Sequence, residues 1–310
     1  MITVGGFNTS LDKTLELDLL QPGAVHRVRR VLSWPGGKGL HVALTVAALG
    51  EPVRLVGLID AAHRCEFEDA LGARGVAFTG VETKDALRTC LALRDQDGAR
   101  ITEILEPGPQ VDTATREELC SRLLALARDS TLAVLSGSTP PGFHEGAYGD
   151  LVASLRDANV RCLVDASGGL LRRAVEARPF LVKPNREEAE ALSGETVEGP
   201  KAAARVARAL AARGVAMPVV SLGAAGAVAL FEGRAVHAWV SMPGAAHPVG
   251  SGDCLLGGVA VGLARGDGLE DVLRLGVACG AANTLGVETG WVRREDVEAL
   301  RPRVATVPIA

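Results

Sequence analysis

The sequence predicts an α/β fold, a mostly parallel central sheet with helices on both faces. Two observations carry this. Short apolar, β-branched runs recur along the 310 residues, and most are followed by a turn and a stretch of helical periodicity. Glycine is abundant, 37 of 310 or about 12% against a usual value of about 7%, while aromatic residues make up only 3%. That composition suits many tight strand-to-helix turns and argues against an aromatic platform for stacking nucleic-acid bases.

In chain order, VRLVGL (53–58), TLAVLSG (131–137), RCLVDAS (161–167), FLVKPN (180–185) and MPVVSLG (217–223) read as buried strands, because they are apolar almost throughout rather than alternating. Lys38–Leu49, Thr115–Arg128, Lys201–Arg213 and Gly252–Ala264 read as helices, with Gly50 and Gly214 as stop signals after the first and third. Residues 214–231 carry no charge, yet Pro218, Ser221, Gly223 and Gly226 divide them into strand, turn and strand rather than a membrane helix. Two segments stand outside the alternation. Residues 14–34 and 88–105 read as short strands with hairpin turns, the second around Asp97-Gly98. They predict a small antiparallel β lid over one end of the main sheet, where ligands of open α/β sheets bind. No repeat or long linker divides the chain, so residues 1–310 are expected to form one domain.

Lys and Arg number 33 against 37 Asp and Glu, for a net charge of −4. This excludes a polybasic binder of nucleic acid or membranes and favours a small-molecule substrate. The six cysteines form no C-x-x-C pair, and no histidine cluster accompanies them at zinc spacing; they read as reduced thiols of a cytoplasmic protein. The opening MITVGGFNTS has no basic stretch before its apolar residues and does not resemble a signal peptide. His26, His63, His144, His237 and His247 lack metal-ligand spacing and are expected as surface or capping residues. Arg27, Arg29 and Arg30 are expected on a solvated lid face.

Four motifs carry chemistry. In HPVGSGDCLLGGVAVGL (247–263), Gly250, Ser251 and Gly252 make a small-residue turn before an apolar helix, so backbone amides and the helix N-terminus can face an anion. Asp253 then stands where it could take a proton from a hydroxyl attacking that anion, or it is an ordinary cap. WPGGKGLHVALTVAALG (34–50) sets three glycines around Lys38, either a tight turn or a ligand loop. It is no Walker A loop, since Leu32 and Gly39 replace the required Gly and Ser/Thr. In LVKPNREEAEAL (181–192), Asn185 and Glu188 lie one helical turn apart and can orient water around Mg²⁺ and phosphate, or simply cap the helix. SLGAAGAVAL (221–230) is a glycine turn that contacts a nucleotide phosphate or closes a hairpin.

In this order the four motifs resemble the ribokinase-like (PfkB) family of carbohydrate kinases over essentially the whole chain. N-x-x-L-D-x-T at Asn8–Thr14, ILEPGP (104–109), LSGSTPPG (135–142) and DASGGLL (165–171) resemble its branch of 1-phosphofructokinase and tagatose-6-phosphate kinase. The resemblance implies a ribokinase-like fold and ATP-dependent, Mg²⁺-requiring phosphoryl transfer to a sugar that already carries a phosphate. Fructose 1-phosphate is the leading acceptor; tagatose 6-phosphate, fructose 6-phosphate, a free sugar or a nucleoside are alternatives, and a non-catalytic sugar-phosphate sensor is the remaining one. Asp253 would be the base, with the amides of Gly250, Ser251 and Gly252 stabilising the transferring group. Asn185 and Glu188 would help hold Mg·ATP, the metal through water, while Lys183, Ser221, Gly223, Gly226 and Asn283 would serve the nucleotide. Asp12, Gly37, Gly39 and Ser138 would bind the sugar, and Lys38 and Arg88 its existing phosphate. A homodimer through the lid is expected.

The departures cluster on the sugar side. His41 stands where the family usually has Asn; as a neutral imidazole it would donate to or accept from the sugar, or else pack on the helix surface. Leu87-Arg88-Thr89-Cys90 keeps the Arg of T-R-x-N and loses its polar neighbours; Ala61-Ala62-His63 replaces a glycine-rich stretch, and Asn8-Thr9-Ser10 replaces N-P-A. Each lost amide removes a possible contact to a sugar hydroxyl.

Overall fold

A computed structural model describes residues 1–95, 101–242 and 248–310. The expected turn at Asp97-Gly98 and His247 lie outside the described residues. The chain opens with β1 (Ile2–Gly5), leaves for β2 (Ser10–Leu17) and β3 (Arg30–Gly36), and returns through α1 (Lys38–Ala48) to β4 (Val53–Ile59). Helix α2 (Arg64–Gly72) leads to β5 (Val76–Glu82), after which β6 (Arg88–Asp95) and β7 (Ile101–Leu105) make a second excursion. Then α3 (Thr113–Ala127), β8 (Leu132–Ser136), α4 (Ala147–Asp157), β9 (Arg161–Asp165), α5 (Gly168–Glu176), β10 (Leu181–Val182), α6 (Arg186–Ser193), α7 (Gly199–Ala212) and β11 (Met217–Ser221) follow. The antiparallel strands β12 (Ala227–Phe231) and β13 (Arg234–Trp239) precede α8 (Ser251–Arg265), α9 (Leu269–Asn283), α10 (Arg294–Leu300) and β14 (Ala305–Ile309).

The main sheet runs β14-β13-β12-β11-β10-β9-β8-β1-β4-β5 and is parallel from β11 to β5. This is the α/β fold the alternating pattern predicts. From β1 the chain moves out to β4 and β5, then returns to β8 on the other side of β1. With right-handed crossovers that reversal puts α1 and α3 on opposite faces. Accordingly α1 packs with α8 and α8 with α9, while α3 packs with α4 and α4 with α5. The crevice at the carboxyl ends of β1 and β8 is the switch point where such sheets bind ligands.

The small sheet has the order β3-β2-β6-β7. Its outer pairs are antiparallel, but β2 and β6 pair in parallel, Asp12 opposite Cys90. Parallel neighbours need a long crossover, and here it is the whole stretch from β3 to β5. The sheet also reaches beyond the predicted 14–34, from Ser10 to Gly36, which brings Asp12 and the start of GGKG onto it. Strand β10 is shorter than the predicted 180–185, because Pro184 has no N–H to extend the ladder. Gly39, the second residue of α1, packs on the backbone just after β1: a Cβ there would overlap Gly6 Cα.

Candidate active site

The carboxyl ends of β8–β11, the N-termini of α1, α6 and α8, and the small sheet enclose a cleft of about 980 Å³. Asp12, Gly37, Lys38, His41, Arg88, Ser138, Lys183, Asn185, Glu188, Ser221, Gly223, Gly226 and Gly250 through Asp253 all line it. Gly39 and Asn283 do not. Gly39 is buried against Gly6, and Asn283 is fully buried behind the 250 loop. Its side-chain amide donates to Val249 O at 2.8 Å and to Ser251 Oγ at 3.0 Å, and its Oδ1 accepts from the Gly290 N–H at 2.8 Å. Its place is that of a brace, not of a nucleotide contact.

Gly250 precedes α8 with φ +81°, and a Cβ there would meet Gly290 N at 2.6 Å, so the turn requires glycine. The Ser251 N–H donates to Pro248 O at 3.1 Å, and the Asp253 and Cys254 amides donate to Gly250 O. Among the described residues nothing engages the amides of Gly250 and Gly252, which stand at a helix N-terminus lining the cleft. Two of the three expected amides are thus open to an anion, and that of Ser251 is committed to its turn. Beneath them Lys183 Nζ lies 3.0 Å from Asp165 Oδ2, both side chains buried, off the angle of a good hydrogen bond. A Cβ on Gly252 would stand 3.4 Å from that ammonium, so the loop sits over a fixed cation.

Where β10 gives way to α6, Asn185 and Glu188 form a reciprocal capping box. Asn185 Oδ1 accepts from the Glu188 N–H and the Glu188 carboxylate from the Asn185 N–H, each at 2.9 Å. Capping and chemistry are therefore not alternatives: the box holds both side chains at the cleft wall. Burial raises the Glu188 carboxyl, the Asn185 N–H offsets part of this, and Asp165 adds to it. The turn after Ser221 closes through Leu222 N–H to Gly226 O at 2.8 Å, and Gly226 has φ +82° with its Cα against Ala238 O.

Lys38 begins α1 and has no ion-pair partner among the described residues. Asp165 is the strongest influence raising its ammonium, burial opposes this, and Asp253, Glu188 and Glu103 add to it. Asp165, Glu188 and Asp253 line the same cleft as Lys38, as does Glu103 from the small sheet. Arg88 opens β6, donating from Nε to Asn8 O at 3.1 Å and from Nη1 to Glu106 O at 3.3 Å. The turn Ala61-Ala62-His63 folds onto buried Asp60, whose carboxylate also accepts the Leu87 N–H at 2.8 Å and fixes the entry to β6. Asn8 Nδ2 donates to Ser138 Oγ at 3.0 Å.

Asp12 and Asp253 meet through His41. The ring is 5% exposed, with Nδ1 3.0 Å from Asp253 Oδ2 and Nε2 3.2 Å from Asp12 Oδ2. Burial pushes the imidazolium down, but hydrogen bonds and charge from Asp12 and Asp253 outweigh it and hold the pKa up at about 10. This corrects the expectation of a neutral imidazole. Burial would likewise raise the Asp12 carboxyl, yet His41, Ser10 (hydroxyl to Oδ1, 2.6 Å) and Arg88 hold it low.

Two carboxylates that line the cleft, Asp165 and Glu103, have no role predicted from the sequence. Asp165 closes a strand that is otherwise almost wholly apolar, which is itself a signal. Glu103 on β7 faces the cleft and is raised chiefly by burial, then by Asp12 and Asp253. Its strand, ITEIL, carries little to distinguish an inward from an outward carboxylate.

Known proteins share this architecture. A 1-phosphofructokinase of Xanthomonas campestris pv. campestris is 34% identical over 307 residues, covering 97% of this chain and 96% of that protein. A tagatose-6-phosphate kinase of Staphylococcus epidermidis is 27% identical, with 100% of each chain covered. In structure, the phosphofructokinase-2 of Escherichia coli in complex with substrates and products superposes with a TM-score of 0.91 at 26% identity, over 97% of this chain and 98% of that one. A sequence model of the pfkB family carbohydrate kinase matches residues 5–290. On a match of that extent, carried by the four ordered motifs around one cleft, the chain belongs to the pfkB family of carbohydrate kinases, for which ATP is the phosphate donor.

Proposed function

We propose that this chain transfers the γ-phosphoryl group of ATP to a hydroxyl of a ketohexose monophosphate, with carbon 6 of fructose 1-phosphate as the leading acceptor and tagatose 6-phosphate as the second. The observation that supports it most is the presence, in one cleft, of Asp253 beside the unengaged amides of Gly250 and Gly252. The acceptor hydroxyl oxygen attacks the γ-phosphorus as its proton passes to Asp253. The bond from phosphorus to the bridging oxygen breaks, and ADP leaves with the electron pair. The two amides and Lys38 stabilise charge on the equatorial oxygens. Arg88, already oriented by two carbonyls, takes the phosphate the acceptor carries, and Asp12 its hydroxyls.

Among the described residues no group of three or more His, Cys, Asp or Glu is placed to hold a metal ion directly. The donor set still fits magnesium, which keeps several waters and relies on one or two carboxylates plus phosphate oxygens. Glu188, raised by burial and by Asp165, marks carboxylate charge that a cation would relieve, and Asn185 and Glu188 would hold the ion's waters. Bound with ATP, magnesium neutralises charge on the phosphates.

Residues 1–310 act as one kinase domain with the small sheet as its lid. Val25, Val28, Val31 and Ile104 leave apolar surface exposed on the lid segments, which supports a homodimer through them. No helix among the described residues is long and apolar enough to cross a membrane. With six unpaired cysteines and ATP as substrate, the cytoplasm is the fitting compartment.

The test is ADP release with Mg·ATP across fructose 1-phosphate, tagatose 6-phosphate, fructose 6-phosphate, fructose, ribose and adenosine. Turnover confined to phosphosugars, lost in Arg88→Ala, supports the reading. Turnover on adenosine or a free sugar with Arg88→Ala unaffected sinks the phosphosugar assignment.

A further inference from the structure

His41 lies on α1, 212 residues from Asp253 in sequence, yet it touches the two carboxylates on which the acceptor side depends. Both ring nitrogens face carboxylate oxygens, at 3.0 and 3.2 Å. A neutral imidazole has one N–H donor, so between two ionised carboxylates the doubly protonated ring is the form that satisfies both contacts. The ring cannot swing away, because Gly290 packs against its face and any side chain there would overlap it. Gly290 is in turn fixed by the Asn283 carbonyl, and the same Asn283 amide holds Val249 O and Ser251 Oγ. One buried side chain therefore anchors both the wall behind the ring and the anion loop.

The other charged groups nearby are Glu103 on β7, Arg88 on β6 beside Asp12, and Lys38 on the ring's own helix. Without the charge on His41, Asp12, Asp253 and Glu103 would face two cations, Arg88 and Lys38, across the cleft. The contact with Asp253 takes Oδ2 and leaves Oδ1 without a partner among the described residues.

We propose that His41 is the positioning residue of this site: as an imidazolium it clamps Asp253 to Asp12, so that Oδ1 of Asp253 meets the acceptor hydroxyl that Asp12 orients. The proposal rests on the kinase reading for its consequence, and on the geometry alone for the clamp.

The two are separable by experiment. In the free protein labelled at histidine, nitrogen and carbon NMR of the ring, assigned by its absence from His41→Asn, reads the clamp without any turnover. Both ring nitrogens are expected to stay protonated at pH 8.5, and Asp253→Asn is expected to restore titration toward the usual range. A wild-type ring that titrates near pH 6.5 overturns the clamp. In turnover, His41→Asn is expected to lower kcat by roughly 10–100-fold. KM for ATP stays within about twofold, because Asn185, Glu188 and the 221–226 turn are untouched. An unchanged kcat overturns the positioning role. If the wild type releases no ADP with any acceptor, the kinase reading fails while the NMR result still decides the clamp.

Discussion

Burial of His41 between Asp12 and Asp253 ties folding stability to pH. An unfolded histidine titrates near 6.5 and this ring at about 10, so its contribution is complete below the lower value and is lost as pH rises toward the upper one. The buried thiols are raised by burial, so they also cost stability as unfolded thiols ionise toward pH 8.5, but equally in the wild type and in His41→Asn. Urea unfolding is therefore expected to show the wild type losing on the order of 1–2 kcal/mol more than His41→Asn between pH 7 and 8.5. Equal losses in the two would contradict the charge state assigned here. The residue types were legible in the sequence: the small-residue turn before Asp253, the pair Asn185 and Glu188, the cation at Arg88. The bridge was not, because nothing in a linear pattern places position 41 against position 253. It arises from α1 packing on α8, and it changes the histidine from a neutral sugar contact into a charged link.

Helix α1 shows how an element positions a site through its backbone. In an isolated helix, replacing Gly39 with Ala would gain about 1 kcal/mol. Here the added Cβ meets Gly6 Cα, and displacing α1 also moves Lys38 and His41. Overpacking of this kind costs typically 1–3 kcal/mol, so the clash outweighs the propensity. Gly39→Ala is expected to unfold at lower urea and to turn over more slowly; a variant more stable than wild type would contradict the close approach. The strongest elements were readable from the apolar runs, since a fully buried parallel strand shows near-continuous hydrophobicity. The local pattern understates the small sheet, because Ser10, Asp12, Pro35 and Gly36 do not look like strand residues. Its parallel pair leaves no local signal, because Asp12 and Cys90 are joined only through the intervening crossover.

At the scale of the molecule, the reversal at β1 and β8 opens the crevice, α1, α6 and α8 point their N-termini into it, and the small sheet lines one side of it. The alternation of strand and helix announced this architecture, but which of two faces each helix covers follows from topology rather than from local pattern. The exposed valines of the β2–β3 connection and of β3 predict a dimer, and a solution mass equal to one chain at micromolar concentration would contradict that surface assignment. The central claim is that Asp253 drives transfer to a sugar phosphate. Phosphorus NMR of the product made from Mg·ATP and fructose 1-phosphate tests it most directly. A second phosphomonoester signal is expected with the wild type, and a rate lower by about 10²–10⁴-fold in Asp253→Asn with nucleotide affinity retained. An Asp253→Asn enzyme as fast as the wild type, or ADP formed with no second phosphomonoester, would contradict the account.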